Sequence, residues 1–513
     1  MPDWKESLEA AASSLAVLFW VVGCKTVDPT ADYARTTALV REHTGSADVY
    51  DPSADDLVED RVTALLADGL TVEEAVQVAL LNNRGFHAAF QEIGASRADV
   101  VQSGLLSNPS LGLTVQFPEG GGRSKLTAGF AQQIVDLWQI PVRKRIAEAQ
   151  LEQTVLSVAD QAVRLTADVK RSFYQMMAAE KTGVLAAENV QLMKRTLEVA
   201  QARFDAGDVG SVDVNLVRAN LIGVQLDSIE VRRNLEESRN GLLRLLGLSR
   251  SSAVITLSGI WPEAAELPAG ENEILLTALE QRLDARVAAL RVHAADAELE
   301  KEYRNVFPDI VLGLEGERPD SQGTPGRDVL ADTARSSIAS GALTAPSIQS
   351  RSQRNQERSQ IVDMLLGPSL SITLPIWDQN QAQIAKAGYK ARQLRAAYED
   401  LLDTISRETA DALNALRSSR ELVQFFESEA LPQSQRSVDS ARATYQAGEQ
   451  SVLVLLDAQE TVIARQRAHV NALRDLALAQ VGLDRAVGGS VSKRTVPDDA
   501  AHSQDVEAGG DQP

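Results

Sequence analysis

Helix-breaking residues crowd into one short stretch, Ala206-Gly207-Asp208-Val209-Gly210-Ser211, within 120 residues that contain no proline. The proline-free region lies between Pro141 and Pro262, and the rest of it favours helix. We therefore predict two long helices joined by one tight turn. The first, over 142–206, would be about 98 Å long at about 1.5 Å per residue. An ordinary globular domain does not need a helix of that length.

The first predicted helix carries the apolar seam of a coiled coil. Small or apolar residues recur at alternating steps of four and three: Leu151, Val155, Val158, Ala162, Leu165 and Val169. The helical hairpin must therefore bury one stripe against other helices. A dimeric cytoplasmic coiled coil is a common structure with this pattern, and the rest of the chain has to decide between the alternatives.

Composition and charge narrow the class of protein. Only 4% of the 513 residues are aromatic, which favours an elongated helical chain over a large compact core. The formal net charge is -20, and no stripe of Lys or Arg interrupts the acidic surface. Because a nucleic-acid-binding surface needs clustered cations, nucleic acid is excluded as a partner.

An apolar run precedes the single cysteine, Cys24. The run covers 13–23, which is too short to span a bilayer but has the length of a signal-peptide core. We therefore predict a lipoprotein signal peptide over 1–23, with Cys24 as the lipidation site. Acidic residues outnumber Lys5 in the segment before the run, which departs from that pattern. The alternative is a buried apolar N-terminal segment with an inert cysteine.

The next residues, 24–69, are polar and acidic without a sustained period. They predict an extended lead-in with one short helix near 54–67. Thr71 and Glu74 then have the spacing of a capping box. We expect a single helix to begin there and to continue to about Leu106.

Two alternating segments follow and predict a β-hairpin over 110–135. Apolar residues alternate strictly with polar or small ones in 110–117, and 126–135 returns as a weaker strand. One face of the hairpin is apolar and the other is polar. A half-buried hairpin of a soluble domain would give the same pattern as a strand pair of a membrane barrel.

The chain then repeats this plan. The segment that begins at Ala79-Leu80 is matched at Ala278-Leu279, and the offset of 199 residues stays constant through the first strand. The turn motif Phe204-Asp205-Ala206-Gly207 is matched by Tyr445-Gln446-Ala447-Gly448. Each repeat is predicted to contain a helix, a strand hairpin, a long helix, a Gly turn and a return helix.

The first predicted repeat covers 70–268, with its turn at 206–211. The second repeat covers 269–488 and contains strands at 309–315 and 369–374, an inserted loop at 316–367 and a turn at 447–451. Pro432 should kink or break its long helix near Leu431. The acidic tail, 489–513, is predicted to be disordered.

The four predicted strands have the length needed to cross an outer membrane at a tilt, roughly eight to ten residues. Four strands cannot close a barrel, and an open edge in lipid costs several kcal/mol for each unpaired backbone group. Several chains must therefore contribute to one barrel. Two chains would give eight strands and three would give twelve, and the residues alone do not choose.

Together these features resemble the TolC family of outer membrane efflux proteins over about residues 60–488. The resemblance rests on Cys24, the paired Ala-Gly turns, the duplication, Leu70-Thr71-Val72-Glu73-Glu74-Ala75 and Gly104-Leu105-Leu106-Ser107-Asn108-Pro109-Ser110-Leu111. It implies a mainly α fold in which duplicated long α-helical hairpins form a periplasmic α-barrel. Four β-strands per chain would contribute to a trimeric, twelve-stranded outer membrane β-barrel, with a lipid anchor on the periplasmic side.

The resemblance also implies an orientation and partners. The strand tips would lie at the cell surface and the turns at the far periplasmic end. There the turns would contact a periplasmic adaptor that couples the tunnel to an inner membrane pump. By resemblance, the adaptor-contacting tips contain Gly207, Ser211, Gly448 and Ser451.

Two aspartates are candidates for an acidic constriction at the tunnel entrance, Asp213 and Asp457. The alternative for each is an ordinary solvated helix surface. Val454 stands where some members of the family carry another acid, so the resemblance does not imply a strongly acidic gate.

The segment Leu374-Pro375-Ile376-Trp377-Asp378-Gln379-Asn380-Gln381 is similar to one in heavy-metal-efflux members of the family. It favours metal cations, or small toxic compounds, as the substrate. The five histidines are scattered without an i, i+4 pair, so we predict no bound metal and no cofactor. A conduit needs only weak sites that release.

The leading hypothesis is a passive efflux duct whose driving force comes from a partner pump. The exit duct of a type I protein secretion system is an alternative within the family. A periplasmic adaptor is an alternative from another class, and it should have one hairpin with clustered strands. The sequence contains no G-x-S-x-G, P-loop or H-E-x-x-H motif, so no catalytic residue is predicted and the protein is not expected to be an enzyme.

Overall fold

The structure is a computed structural model that describes residues 26–52, 58–117, 124–250, 255–262, 270–318, 341 and 364–489. The predicted signal peptide, Cys24, most of the 316–367 insertion and nearly all of the predicted tail lie outside the described residues. The chain divides into two compact units. The helical unit draws on Met1–Asp99, Glu148–Ala294 and Arg392–Pro513, and the sheet unit on Val100–Ala147 and Ala295–Ala391.

Long helices dominate the described residues, and the strands come in two pairs. In chain order the elements are α1 (Thr30–Thr44), α2 (Val58–Leu65), α3 (Val72–Asn82), α4 (Arg84–Ser103), β1 (Ser110–Gln116), β2 (Lys125–Gln133), α5 (Asp136–Asp205), α6 (Ser211–Leu245), α7 (Glu271–Gln281), α8 (Leu283–Arg304), β3 (Ile310–Arg318), β4 (Leu365–Ile372), α9 (Gln381–Phe425), π1 (Phe426–Ala430), α10 (Leu431–Gln446) and α11 (Val452–Val487). Among the described residues, no helix combines the length and the apolar character needed to cross a membrane.

The prediction of an extended lead-in is wrong for α1, a helix of 15 residues. Its buried positions have helical spacing but are mostly polar: Asp32, Tyr33, Thr36, Thr37, Val40 and His43. Asp32 and His43 make tertiary hydrogen bonds. The Arg97 guanidinium donates to both oxygens of Asp32 at 2.5 and 2.6 Å, and His43 Nδ1 lies 2.8 Å from the Gly488 carbonyl. The short helix predicted near 54–67 is present as α2, within the residues described there.

The single helix predicted from Thr71 to about Leu106 is in fact two helices. Thr71 does cap α3 with the predicted box, but the chain becomes extended at Asn83, with φ -72° and ψ 114°. The same break occurs 199 residues later at Arg282, with φ -63° and ψ 123°. At the first break Asn83 caps the start of α4, because its side-chain oxygen accepts from the Phe86 N–H at 3.0 Å. Tertiary contacts accompany both breaks.

A glycine at the end of each return helix packs closely against the break of the same repeat. Gly247, with φ 73°, lies so close to the first break that an added Cβ would be 2.4 Å from the Asn82 carbonyl oxygen. The Asn82 and Asn83 amides donate to the carbonyls of Leu246 and Leu245, both at 2.9 Å. Gly488, with φ 85°, approaches the Arg282 backbone in the same way, with an added Cβ 3.1 Å from its Cα.

Two long helical hairpins follow the predicted plan. Hairpin 1 consists of α5, which has 70 residues with Pro141 near its start, and α6. Hairpin 2 consists of α9, π1, α10 and α11. The break predicted near Leu431 is confirmed as π1, which is followed by Pro432 in the first turn of α10.

The strands form one antiparallel sheet in the order β1-β2-β3-β4. Leu111 pairs with Phe130, which pairs with Leu314, which in turn pairs with Pro368. The second pair of strands was predicted with wrong ends, because β3 continues to Arg318 and β4 begins at Leu365. The exposed Pro368 donates no ladder bond, which an edge strand tolerates. It concealed the start of this strand from the sequence pattern.

Candidate functional sites at the helical turns and on the sheet

The turn of hairpin 1 is a Schellman motif built on Gly207. This glycine has φ 83°, a left-handed conformation that strains any residue with a Cβ. Its N–H donates to the Phe204 carbonyl at 3.0 Å, and the N–H of Asp208 donates to the Arg203 carbonyl at 2.9 Å. The two bonds satisfy carbonyls that the end of α5 would otherwise leave unpaired.

The turn of hairpin 2 has the same geometry. Gly448 has φ 80°, and its N–H donates to the Tyr445 carbonyl at 3.1 Å. The N–H of Glu449 donates to the Thr444 carbonyl at 3.0 Å. The positive φ expected for both turn glycines is therefore confirmed, although their contact with a partner stays a prediction.

The predicted tip residues occupy positions that are only partly equivalent. Gly207, Ser211, Gly448 and Ser451 are all exposed. Ser451 is the N-cap of α11, and the N-cap of α6 is Gly210, so Ser211 is one residue further into its helix. Neither N-cap makes a side-chain capping bond.

The two candidate aspartates are not brought together as an equivalent pair. Asp213 is half-buried in the first turn of α6, where its N–H donates to the Gly210 carbonyl at 3.1 Å. Its counterpart in hairpin 2 is the exposed Val454, whose N–H donates to the Ser451 carbonyl at 3.2 Å. Asp457 lies nearly one turn later and is exposed.

Arg203 links the two turns, a contact that the sequence did not indicate. Its Nη1 donates to the Tyr445 carbonyl at 2.7 Å, and its guanidinium lies 4.8 Å from the centroid of the Tyr445 ring. Beneath this contact, one apolar cluster joins both hairpins: Met193, Ala200, Val214, Val217, Ala441, Tyr445, Val452, Leu455 and Leu456. The turns therefore form one surface.

Helix α6 carries two apolar seams, of which one is unoccupied. The first has heptad spacing and is buried or half-buried: Val214, Val217, Leu221, Val224, Val231, Leu235 and Leu242. The second is formed by Ile222, Leu226 and Ile229, whose exposed fractions are 53, 63 and 62%. This spacing of i, i+4 and i+7 is that of a helix-packing stripe, and the described part of the chain leaves it uncovered.

The sheet has one apolar and one largely polar face. On the apolar face, Leu111, Leu113 and Val115 of β1 are exposed by 82, 68 and 45%. The opposite face contains Glu315 and Glu317 of β3, and Lys125 pairs with Glu317 at 2.9 Å. The described residues place no layer over either face. Such alternation is typical of a transmembrane β-barrel, in which one face of the sheet contacts lipid and the other contacts water.

A half-buried ion network surrounds the Arg282 break in the helical unit. Arg282 binds Asp284 at 2.6 Å and Glu408 at 2.5 Å. Burial raises the pKa of Asp160 above its usual 3.8, and the neighbouring Asp284 adds to this effect. Burial alone would also raise the pKa of Asp284, but the bonds from Arg282 outweigh it and lower that pKa.

The described residues contain no group of three or more His, Cys, Asp or Glu side chains that could hold a metal ion. The carboxylates of the Arg282 network are instead matched by guanidinium groups. This arrangement pairs the carboxylates with cationic side chains and leaves no open coordination site among them.

A four-stranded sheet with an exposed apolar face, combined with two long helical hairpins, defines the protomer of an outer membrane channel. Residues 75–248 and 274–489 match the sequence model of the outer membrane efflux protein family, and the chain belongs to that family. The family and the outer membrane location expected from the sequence are thereby confirmed. The alternatives of a cytoplasmic coiled coil and a periplasmic adaptor are not supported.

Relatives with known names agree with this class. The cobalt-zinc-cadmium resistance protein CzcC of Cupriavidus metallidurans is 23% identical over 429 residues, which cover 82% of this chain and 91% of the relative. The pyoverdine export outer membrane protein OpmQ of Pseudomonas aeruginosa is 25% identical over 452 residues, covering 82% and 85%. A solved structure of CusC shares the fold with a TM-score of 0.65 at 19% identity, covering 82% of this chain and 92% of that one.

Proposed function

We propose that three copies of the chain form a passive duct through which an inner membrane pump expels its substrate across the periplasm and the outer membrane. The observation that carries this proposal is that the described residues of the single chain leave two surfaces without a packing or pairing partner. One is the exposed seam at Ile222, Leu226 and Ile229 on α6. The other is the sheet, whose edge strands β1 and β4 pair on one side only among the described residues.

The open sheet edges support a closed assembly of copies. In lipid, an unpaired strand edge costs several kcal/mol per backbone group, so β1 of one copy must pair with β4 of its neighbour. Their directions make that pair antiparallel, as in the rest of the sheet. Three copies supply twelve strands, which is enough for a transmembrane barrel.

The α6 seam supports the same assembly in the helical part. The first seam of α6 packs in one apolar cluster with α5 and α11 of the same chain, so the second seam needs a further neighbouring helix. A helix from the adjacent copy is expected to cover Ile222, Leu226 and Ile229. Substitution of Leu226 by Glu should therefore abolish trimers in cross-linking and size-exclusion experiments, whereas the equally exposed Glu230 should tolerate Lys.

The turn surface is proposed as the contact for a periplasmic adaptor. Support comes from the exposure of Gly207, Ser211, Gly448 and Ser451 and from the contact through Arg203, which makes the two turns one surface. A photo-cross-linking residue at position 211 or 451 should capture the adaptor in cells. Capture only from mid-helix positions would contradict the assignment. Asp213 and Asp457 stay candidates for residues that act near the entrance.

Metal cations are the proposed substrate class, and small toxic compounds are the second candidate. The 374–381 segment supports metals, as does the similarity to a protein named for cobalt, zinc and cadmium resistance. Relatives named for pyoverdine or toluene export favour organic substrates. Deletion of the gene should sensitise cells to divalent transition metals, with secretion of proteins intact. Loss of protein secretion would instead indicate a type I secretion duct.

Lipidation of Cys24 is a separate proposal. Cys24→Ala should abolish incorporation of labelled palmitate into the protein. Uncleaved, unlabelled wild-type protein would show instead that the 1–23 segment is not a lipoprotein signal.

A further inference from the structure

A crevice lies between the two hairpins within the helical unit. It has a volume of about 540 Å³ and is lined by α5, α6 and α11. The facing residues Gly223, Ala464 and Ala468 are too small to fill the space, and an added Cβ at Gly223 would meet no atom within 4 Å. Pockets for small molecules commonly have volumes of about 300–1,000 Å³, so the crevice has room for such a ligand.

One polar side chain in the crevice lacks a partner in the chain. Asn189 of α5 is only 9% exposed, lines the crevice and forms no hydrogen bond with the described residues. Buried amide groups in folded proteins are nearly always hydrogen-bonded. Asn220 of α6 also lines the crevice, and its Nδ2 donates to the Leu216 carbonyl at 3.1 Å, which leaves its Oδ1 as an acceptor. The crevice therefore offers hydrogen bonds that the chain itself does not use.

The crevice also carries an unbalanced negative charge. The Arg467 guanidinium donates to both carboxylate oxygens of Asp227, with Nη1 3.0 Å from Oδ1, so these two charges neutralise each other. Glu460 lines the crevice as well. It is exposed and forms no ion pair with any residue that the structure describes. Its carboxylate is therefore available to a positively charged ligand.

Apolar side chains supply the other part of the lining. Met193 and Leu456 are buried, and Val224 and Ile463 are half-buried. Removal of apolar ligand surface from water would favour binding against these residues. Methionine in addition adapts to ligands of different shape, because its side chain is flexible and polarisable.

We propose that this crevice binds a small organic cation in which an ammonium group is attached to an apolar body. The ammonium group pairs with the Glu460 carboxylate and donates to the side-chain oxygen of Asn189 or Asn220. The apolar body packs against Met193 and Leu456. This site goes beyond the proposed duct, because binding in the wall between the hairpins requires no transport step.

Two other occupants fit the crevice less well. An α-helix of a partner protein measures about 10–12 Å across with its side chains, and the Asp227–Arg467 pair links α6 to α11 across the space in which such a helix would lie. A metal ion would need several ligands. The part of the chain that the structure describes contains no group of three or more His, Cys, Asp or Glu side chains that could hold one.

Photoaffinity labelling of the full-length protein in detergent tests the site. The probe is a trifluoromethyl-diazirine derivative of benzylamine. The matched probe is the same derivative of benzyl alcohol, which has the same apolar body without the charge. After irradiation, mass spectrometry locates the labelled residues. We expect the amine probe to label α5, α6 and α11 where they line the crevice, and the alcohol probe to label them several-fold less.

Two substitutions test the charge and the space separately. Glu460→Gln keeps the shape of the side chain and removes its charge. It should reduce labelling by the amine probe several-fold and leave labelling by the alcohol probe unchanged. Gly223→Leu should fill the crevice and reduce labelling by both probes. Glu236→Gln is the control, because it removes an exposed carboxylate of α6 that does not line the crevice, and it should change neither.

Labelling in the crevice that is equal for the two probes, or that survives Glu460→Gln, would overturn the proposal. Labelling confined to other surfaces of the protein would also overturn it. If the crevice is labelled in the Leu226→Glu protein but not in wild type, then a neighbouring copy covers the crevice and the ligand site is refuted. Failure of the proposed duct would appear instead as an absence of trimers, which the labelling does not require.

Discussion

The turns of hairpin 1 and hairpin 2 have the same geometry, but the helices that lead to them differ. In both turns a glycine takes a positive φ and the same two backbone bonds close the helix. Before the turn, α5 runs for 70 residues, whereas π1 divides the corresponding helix of hairpin 2 into α9 and α10. The halves agree where the backbone conformation strongly favours glycine and differ where a helix can adjust.

The same comparison applies where each return helix meets a helix break. Gly247 and Gly488 both take a positive φ against the break of their own repeat. The first break is held by the amides of Asn82 and Asn83, and the second by the ions around Arg282. The same backbone conformation is thus held by amide hydrogen bonds in the first repeat and by ion pairs in the second.

The largest effect is expected from Gly247→Ala. The substitution combines a left-handed conformation, which costs about 1–2 kcal/mol for a residue with a Cβ, with a Cβ placed 2.4 Å from a backbone oxygen. The backbone of Asn82 cannot yield without moving the break. Thermal unfolding of the purified protein in detergent should show a large drop in midpoint or no folded trimer.

Gly207→Ala is the matched control, because an added Cβ there meets no atom within 4 Å. Gly207→Ala should lower the stability only by the cost of the left-handed conformation, about 1–2 kcal/mol. Gly488→Ala should fall between the two, since its Cβ would lie 3.1 Å from Arg282. Similar midpoints for Gly247→Ala and Gly207→Ala would show that the first break can relax.

Removal of Arg282 is expected to have the next largest effect. Arg282→Gln would leave Asp284 and Glu408 without their guanidinium, and the Arg282 side chain is only 13% exposed. We expect a loss of roughly 3 kcal/mol, at the low end for a broken buried pair, because Glu408 is partly exposed. Asn83→Ala, at the first break, removes one neutral bond and should cost about 1 kcal/mol. Equal losses would contradict an ionic role specific to the second break.

The sequence predicted those parts of the fold that depend on local chemistry. Gly207, Gly448 and Pro432 have conformational requirements of their own, so the turns and the helix defect could be placed from residue type. The long helices could be placed from the periodicity of their apolar residues, which is also a local property of the sequence. The strand ends were less certain, because Pro368 hid the start of β4.

Tertiary contacts decided much of the rest, and the one local signal at the first helix break is Asn83, which caps α4 through the Phe86 N–H. The helix breaks depend on close approach of Gly247 and Gly488 to distant residues. Helix α1 buries polar groups such as Asp32 and His43 at helical spacing, so a search for apolar periodicity could not find it. The Arg203 contact is similar, since nothing in the sequence beside Arg203 indicates that its partner is 242 residues away.

Arg203 makes the comparison of the two turns asymmetric, and its loss should have a moderate effect. Arg203→Gln removes both the bond to the Tyr445 carbonyl and the cation–π contact, together about 1–2 kcal/mol. The equivalent residue of hairpin 2, Thr444, bonds only within its own helix, to Ser440 at 3.1 Å. Thr444→Ala should change the unfolding midpoint little, and a larger loss there than at Arg203 would refute the link.

A smaller, pH-dependent effect is expected at Asp160. Its raised folded pKa means that the folded state holds the proton more tightly than the unfolded state, where the pKa is near 3.8. This contribution to stability is full below 3.8 and is lost as pH rises through the raised pKa. Asp160→Asn should therefore become more stable relative to wild type as pH rises across that window.

Asp284→Asn provides the opposite control. The lowered pKa of Asp284 gives stability that is present above its ordinary value of 3.8 and is lost as pH falls through the lowered pKa. The variant should therefore lose stability relative to wild type at neutral pH. Unfolding midpoints measured across the acidic range would distinguish the two, and parallel pH curves for both variants would contradict the assignment.

The smallest effect is expected from Pro432→Ala, which tests why π1 exists. The N–H of Leu431 donates to the Phe426 carbonyl five residues before it, and Pro432 supplies no donor. Alanine would restore a donor, but Pro432 lies in the first turn of α10, where proline is tolerated, so the change in stability is expected to be less than about 1 kcal/mol. Hydrogen exchange should nevertheless show that π1 is retained, with its one extra residue relative to a regular helix.

The reason is that the buried stripes on both sides of π1 must face their neighbours. Leu413 and Phe426 pack in one cluster with Leu476 of α11, and Tyr445 packs in another beneath the turns. Loss of the extra residue would rotate α10 by about 100° relative to α9 and would carry Tyr445 away from Arg203. If Pro432→Ala converts π1 into regular helix while the Arg203 contact persists, then the proline, and not the packing, determines how hairpin 2 differs from hairpin 1.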